Sequence, residues 1–372
     1  MPISVTAAVL RDAGQVPRLE TLMLEDPRPD EILVRIVATG LCQTDAHVCH
    51  RQIPTPMPVV LGHEGAGIVE RVGRNVTAVA PGDHVVLSYH SCGACERCLS
   101  GHPAYCDLMF PLNFGGARQD GSTSLTDSGG GHVHSHFFGQ SSFATYALTT
   151  ERNVVKVPAD IPLESLGALG CGVQTGAAAV LKAMAVPAGA SLAIFGVGAV
   201  GLSAVMAARV AGAAIIVALD VNRERLGLAG ELGATHSVNL LDEPAAEALR
   251  RIAPGGFNYV LDTSGRKESL ITGAAALAPL GTFGFVAYGP GSDALVEASQ
   301  FFMGKKLLGI IQGDADAKTF IPELIALYRS GRFPFDRLLR YYDFAQISEA
   351  FTDAAAGKAI KPILRMESQA AG

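Results

Sequence analysis

The chain has 372 residues, 49% of them hydrophobic and 17% charged, which describes a globular protein with a large core and excludes a disordered one. That length exceeds one typical domain and predicts two. The formal net charge of −6 supplies no basic face, so neither nucleic acid nor an anionic membrane is expected as a partner.

The opening residues, MPISVTAAVLRDAG, lack a basic segment followed by an apolar one. No signal peptide or anchor is expected, and the expected location is the cytoplasm. Seven cysteines in that setting read as metal-binding or catalytic residues rather than a disulfide framework.

Up to about residue 90 the chain reads as short strands. Glu31 to Ala38 and Val85 to Ser88 are apolar, β-branched runs bounded by Gly, Pro and Asp. Ile53 to Leu61 carries three prolines and reads as a loop or an edge. In this region lie Gly40-Leu-Cys42-Gln-Thr44-Asp45-Ala-His47 and Gly62-His63-Glu64-Gly-Ala-Gly67. Cys42, His63 and the much later Cys171, in Gly170-Cys171-Gly172, are zinc ligands by type, each beside a glycine or in a turn that backbone can shape to a site. Two sulfurs and one imidazole leave a fourth tetrahedral position open, the catalytic pattern. Spacing alone does not bring the three together.

Cys92-Gly-Ala-Cys95-Glu-Arg-Cys98, then seven residues and Cys106, is more specific. This spacing wraps four thiolates round one tetrahedral ion and leaves no open position, as in a structural zinc site. An iron–sulfur cluster and four free thiols are the alternatives. The fourth cysteine is not at ferredoxin spacing and no proline follows it. Cys49 is left over, as a free thiol in the loop after the Cys42 segment.

Gly115 to Gly131 reads as a surface loop. His132, His134 and His136 alternate, which in a strand puts all three on one face. No thiol or carboxylate cluster joins them, so an exposed loop leading into a strand is favoured over a metal site. Phe137-Phe138 and Phe143 to Leu148 read as buried strand edges, with one aromatic reaching towards a substrate. Leu163 to Lys182, carrying Cys171, reads as helical turns.

From Ser191 the pattern changes. Ser191 to Phe195 reads as a buried strand, followed by the turn Gly196-Val197-Gly198-Ala199-Val200-Gly201 and a helix-length segment; Ala214 to Leu219 is a second strand, ending on Asp220. This is strand, G-x-G-x-x-G turn, helix, strand and acid, a dinucleotide-binding fingerprint. The helix N-terminus offers free N–H groups to a pyrophosphate. Asp220 accepts hydrogen bonds from ribose hydroxyls and repels a 2′-phosphate, which favours NAD over NADP. A glycine-rich packing turn without ligand is the alternative. Ala183 to Ala208 has no charged residue and bilayer-spanning length, but Pro187 and its glycines make it a sheet interior.

Beyond Asp220, a helix is expected over Arg223 to Leu232, a strand over Phe257 to Leu261 and a helix over Lys267 to Leu277. Thr282 to Tyr288 and Lys306 to Ile311 read as further strands. Such alternation predicts a parallel doubly wound sheet. Thr319 to Arg329 and Ile347 to Ala356 read as helices. Ala359 to Arg365 reads as a last strand, returning to the first domain. An edge near Thr282 to Tyr288 is expected to offer pairing between subunits.

In order, G-x-C-x-T-D, G-H-E-x-x-G, the four-cysteine loop, G-C-G-x-x-T-G and the dinucleotide turn resemble the medium-chain, zinc-dependent alcohol dehydrogenases over essentially the whole chain. Leu87-Ser-Tyr-His-Ser-Cys92, Pro111-Leu-Asn-Phe-Gly-Gly116 and Phe138-Gly-Gln-Ser-Ser-Phe143 look most like bacterial aryl- and allylic-alcohol members, of the benzyl alcohol and geraniol type. The resemblance implies an α/β protein: a β-rich GroES-like catalytic domain, residues 1–171 with 312–372, and a doubly wound Rossmann NAD-binding domain, residues 172–311. It implies two zinc ions per chain, NAD, and a homodimer or homotetramer. It assigns Cys42, His63 and Cys171 to the catalytic zinc, with Glu64 as alternate ligand and Asp45 as partner to His63. Thr44 would take the alcohol proton and pass it, through a cofactor ribose hydroxyl, to His47. Asp220 would hold the adenosine ribose with Arg225 near the adenine end, and Arg266 and Lys361 would be cations near the cofactor. Gln43 replaces an Arg or His that touches the pyrophosphate in some members. The implied reaction is oxidation of a primary aromatic or allylic alcohol to its aldehyde. A glutathione-dependent formaldehyde dehydrogenase shares the metal motifs, but needs cations for the glutathione carboxylates, and DLMFPLNFGGA after Cys106 has none before Arg118. A non-catalytic NAD-binding protein on the same fold would not need all three ligands and Thr44.

Overall fold

In a computed structural model, residues 1–287 and 298–366 are described. The chain divides into two compact units, the first Met1–Cys171 with Asp316–Pro322 and Asp336–Gly372, the second Gly172–Ala315 with Glu323–Phe335. The expected boundary at 311/312 is therefore displaced: residues 312–315 and Glu323–Phe335 pack with the second unit. Gln174 Nε2 donates to Gln312 Oε1 at 3.0 Å, Lys182 pairs with Glu323, and Arg332 donates to the Val210 carbonyl.

In the first unit, Glu31–Gly40 is the central strand. It pairs antiparallel with Gly65–Val72, Tyr146–Thr150 and Lys361–Arg365. His84–Leu87, Val154–Lys156 and Leu339–Asp343 complete this seven-stranded sheet. Ile32, Val34 and Ile36, two residues apart and so on one face, pack with Val69, Val85, Leu87 and Ala147 in a closed core. The last strand does return to this unit, pairing Ile363–Arg365 with Ala38–Gly40. A five-stranded sheet joins Val59–Val60, Ile3–Leu10, Arg18–Leu24, Leu125–Thr126 and His132–Val133.

The second unit is a six-stranded parallel sheet in the order His236–Asn239, Ile215–Asp220, Ser191–Phe195, Phe257–Asp262, Leu277–Phe285, Lys306–Gly309. Its inner strands are near-continuous apolar runs because helices cover both faces. Ala193, Phe195, Val217, Leu219, Val260 and Phe283 form its core. The sequence pattern did not single out the strand His236–Asn239 or the helix Ala245–Ile252, both short and largely exposed.

Three expectations are corrected. Thr282 to Phe285 is not an edge: Leu277–Phe285 pairs with Phe257–Asp262 on one side and Lys306–Gly309 on the other, and Tyr288 lies outside the described residues. Cys49 ends the helix Gln43–Cys49 and is buried, rather than lying in a loop. The three histidines do not share a face, because the strand stops at Val133 and His136 takes a left-handed backbone (φ 62°). His132 is exposed, His134 is half-buried, and His136 is buried against Glu31.

Candidate active site and dinucleotide turn

Three separated segments of the first unit build the metal set. Cys42 caps the helix Gln43–Cys49, His63 follows a glycine turn (Gly62, φ 86°), and Cys171 breaks the helical run Leu163 to Lys182 with φ −145° and ψ −87°. The run expected as helical turns is a helix Leu163–Leu166, a tight turn Gly167–Gly170, Cys171, and a new helix Gly172–Ala178. One ligand atom from each of Cys42, His63, Glu64 and Cys171 lies within 4.8 Å of the others. Gly40 makes room for them: a Cβ there would stand 1.9 Å from Glu64 Oε2.

Asp45 organises the set. Its Oδ1 accepts from His63 Nδ1 and from the Gly62 N–H, both at 3.1 Å, and its Oδ2 accepts from the Cys42 N–H at 3.0 Å. One carboxylate therefore fixes two ligand segments and the imidazole tautomer. It leaves His63 Nε2 buried without a hydrogen-bond partner, as expected of a nitrogen that meets a metal.

The electrostatics favour a cation. A hydrogen bond with Cys171 and the charge of His63 hold the Cys42 thiol well below its ordinary range, while the same bond and burial push the Cys171 thiol up. Burial works to lower the His63 pKa, but the charges of Asp45 and Cys42 outweigh it and raise it. Two thiols, an imidazole and a carboxylate brought this close in a buried site are a donor set that suits a divalent cation. Zinc fits by ligand type, count and spacing.

Lys361, expected as a cation near the cofactor, is buried on Glu64 beside the metal set. It is 2% exposed, and its Nζ lies 2.8 and 2.9 Å from the two Glu64 oxygens and 3.3 Å from the Leu41 carbonyl. Glu64 takes up its charge inside the metal set. Burial raises the Glu64 pKa, against the pull of Lys361. Thr44 is half-buried with Oγ1 3.7 Å from Cys42 Sγ. His47, half-buried, holds Gln52 Oε1 at Nδ1.

Sequence reasoning expected one aromatic near a substrate but not an aromatic wall. Phe137 and Phe138 form a tight turn rather than a strand edge, with Phe138 at φ 51°. The Phe138 ring stacks on His63 at 4.4 Å between centroids, and Phe137 meets it edge-on at 5.5 Å. Phe114 packs edge-on against Phe138 at 5.1 Å, and Phe110 lies 6.0 Å from Phe114. Its sequence signals were Phe137-Phe138, from which one aromatic was expected to reach a substrate, and the apolar run after Cys106, which forms the helix Met109–Phe114 that carries two of these rings.

The four-cysteine loop closes as one cluster, with Cys92, Cys95, Cys98 and Cys106 donor atoms within 4.8 Å of one another. Backbone N–H groups of Ala94 and Cys95 donate to Cys92 Sγ, and those of Cys92 and Leu108 to Cys106 Sγ. Such bonds stabilise thiolates. Backbone N–H groups at Asp107 and Cys98 bring the Cys95 thiol down to about 6.

In the second unit, Gly196 (φ 80°) begins the turn and Gly198 caps the helix Ala199–Ala211. A Cβ on Gly201 would meet the Gly196 carbonyl at 1.9 Å, so only glycine lets helix and strand approach. Asp220 ends its strand as expected. Its carboxylate accepts from the N–H groups of Val197, Val221 and Asn222. Val197 and Val200 belong to this turn and helix start. Arg225 stands close to Gly198, its Nε buried and without a hydrogen-bond partner, so it faces the turn. Arg266 is exposed and caps the helix Lys267–Ala275.

Residues 28–159 match the alcohol dehydrogenase GroES-like domain, and residues 199–328 the zinc-binding dehydrogenase domain. The chain is 46% identical over 370 residues to a geraniol dehydrogenase of Castellaniella defragrans, covering 97% of this chain and 98% of that one. It superposes on an alcohol dehydrogenase zinc-binding domain protein of Burkholderia ambifaria with a TM-score of 0.96 at 51% identity, covering 98% and 99% of the two chains. Benzyl alcohol dehydrogenase of Acinetobacter calcoaceticus gives 0.94 at 45% identity, with the same coverage. A donor set built from three distant segments, a dinucleotide turn ending on an acid, and likeness along nearly the whole length agree: the chain belongs to the medium-chain, zinc-dependent alcohol dehydrogenases.

Proposed function

We propose that this enzyme oxidises primary aromatic and allylic alcohols, of the benzyl, cinnamyl and geraniol type, to aldehydes, with NAD as hydride acceptor and two zinc ions per chain. The observation that carries the substrate class is the row of rings Phe138, Phe114 and Phe110, which begins in stacking contact with the metal ligand His63. A flat, unsaturated group beside the alcohol carbon suits that wall through aromatic packing. Arg118, the first cation after Cys106, is already engaged by Glu31 at 2.6 and 3.1 Å and Glu25 at 3.0 Å, which argues against a glutathione adduct.

In this reading Cys42, His63 and Cys171 hold one zinc and the four-cysteine loop the other. Zinc at the first set supplies Lewis acidity that makes an alcohol hydroxyl acidic near neutral pH, and NAD supplies the hydride acceptor. The protein's own groups do the rest. Asp45 orients the His63 ring, Thr44 Oγ1 would take the hydroxyl proton as it releases its own, and His47 would pass a proton to solvent. The aromatic wall excludes water beside the reacting carbon. Asp220 selects NAD by its charge at the ribose position, with Arg225 near the adenine end.

The exposed side chains of Leu280, Phe302, Met303 and Leu307 flank the sheet's edge strand Lys306–Gly309, and support a homo-oligomer that pairs there. Seven cysteines, six of them in the two donor sets, suit a reducing compartment, the cytoplasm. Among the described residues no single helix is long and apolar enough to cross a membrane.

The test is kcat/KM with NAD for benzyl, cinnamyl and geranyl alcohols against ethanol, a secondary alcohol and hydroxymethylglutathione. The aryl and allylic alcohols are expected to lead. A preference for ethanol or hydroxymethylglutathione would refute the substrate reading while leaving the family intact.

A further inference from the structure

Behind the aromatic wall, the turn His136 to Ser141 runs against backbone preference. His136, Phe138 and Ser141 all have positive φ (62°, 51° and 53°) without being glycine. Each such residue is strained, and the strain persists only where neighbouring contacts impose it. Those contacts are hydrogen bonds. Ser141 Oγ donates to the Val60 carbonyl at 2.6 Å and accepts from the Phe137 N–H at 2.9 Å. Asn153 Nδ2 donates to the Phe138 carbonyl at 2.9 Å and the Ser88 carbonyl at 3.1 Å.

The turn delivers Gln140, 1% exposed, to the rear of the metal set. Its Nε2 donates to the carbonyl of His63 at 3.0 Å and of Ser88 at 3.1 Å, and its Oε1 accepts from the Gly65 N–H at 3.1 Å. These partners fix the amide's orientation, because the flipped amide would set an oxygen against two carbonyls. Ser88 Oγ in turn donates to the Gly170 carbonyl at 2.7 Å, the residue before Cys171. A single side chain thus clasps the peptides on both sides of Glu64 and, through Ser88, reaches the turn that presents Cys171.

We propose that Gln140 is a positioning residue for the catalytic metal: it locks the backbone of the His63-Glu64 segment to that of the Cys171 segment, setting the geometry and retention of zinc at Cys42, His63 and Cys171. Asp45 holds the side-chain edge of the same set from one direction, tying Cys42 to His63. Gln140 holds the peptide edge from the other, tying His63 to Cys171. This rests on the reading that these residues hold a zinc. Partners one shell out from ligands commonly set metal affinity by about 10- to 100-fold.

The test compares wild type with Gln140→Met, similar in length but without an amide, in the full chain carrying its metals. Zinc release to a chromophoric chelator is followed in time, with the four-cysteine zinc as internal reference, and the visible spectrum is recorded after cobalt replaces the catalytic zinc. The expected result is at least tenfold faster release of the catalytic zinc, unchanged release of the other, and a shifted cobalt spectrum. Equal acceleration at both sites, or no change at either with an unshifted spectrum, overturns the proposal. If Gln140→Met does not fold, Ser88→Ala, which removes the hydroxyl bond to Gly170, is expected to speed catalytic release alone by a smaller factor; unchanged release there overturns it equally. A wild type that yields one zinc per chain refutes the metal reading itself, a result distinct from a wild type with two zincs and an unaffected variant.

Discussion

The two cysteine-bearing sets of the first unit are built in opposite ways. Cys92, Cys95, Cys98 and Cys106 lie within one short loop, the first three partly exposed and Cys106 buried, with the Cys92 and Cys106 sulfurs accepting from N–H groups of that same loop. Cys42, His63 and Cys171 come from three segments more than a hundred residues apart at the extremes, and buried side chains, Asp45, Glu64 and Lys361, hold them in register. A local set closes on its metal with little help from the fold, and metal binding there contributes to folding. A set that converges through tertiary structure depends on the fold and keeps a position open for chemistry. The difference teaches where to look for each role: structure from a compact motif, reactivity from a convergence that only topology supplies.

That division makes predictions that differ in size and in kind. Cys42→Ala should lower kcat/KM by about 10³-fold or more, since it removes a ligand of the Lewis-acid site, while thermal unfolding moves little. Cys95→Ala should do the reverse, lowering Tm on the order of 5 °C or more, with residual activity in the folded fraction. Parallel losses of folding and turnover in both variants would erase the distinction.

Outside both metal sets, Asp220→Asn keeps a carbonyl oxygen for the Val221 and Asn222 N–H groups but removes the charge. It should lower the NAD-to-NADP ratio of kcat/KM by about tenfold; an unchanged ratio would place no negative charge at the 2′ position. Glu31 gives an effect on stability alone and one independent of any metal ligand. Burial would raise its pKa, but His136 and Arg118 outweigh burial and hold it at about 2, below the usual 4.5. A carboxylate lowered in this way stabilises the fold above its ordinary pKa, and loses that contribution as pH falls from about 4.5 through about 2. The full contribution is roughly 3 kcal/mol. The stability gap between wild type and Glu31→Gln should therefore be widest above pH 5 and close across that window, as read by urea unfolding; a gap constant in pH would show that Glu31 is not held ionised.

How far the sequence could be read follows the same division. The four-cysteine loop and the turn Gly196 to Gly201 with Asp220 were legible because their parts are neighbours along the chain, and local geometry does most of the work. Cys42, His63 and Cys171 were recognisable as ligand types, but their meeting depends on the pairing of the strands around Glu31–Gly40 and on the helix break at Cys171. Strand order explains the misplaced edge: Leu277–Phe285 looked peripheral, yet Lys306–Gly309 pairs outside it. The contact of Phe138 with His63 was not legible, because it needs φ 51° at a phenylalanine, which residue preferences disfavour. Lys361 has a charge that suits an anion, but the fold buries it on Glu64.

The most direct test of the account is a stepwise metal-removal titration that follows zinc released per chain and benzyl alcohol oxidation with NAD in the same sample. Two zincs per chain are predicted. Activity should fall to zero as one of them leaves and return when one zinc equivalent is restored, with the fold intact throughout. Loss of activity only together with loss of the fold, with no zinc whose release inactivates a folded chain, would contradict the assignment of Cys42, His63 and Cys171 to the chemistry.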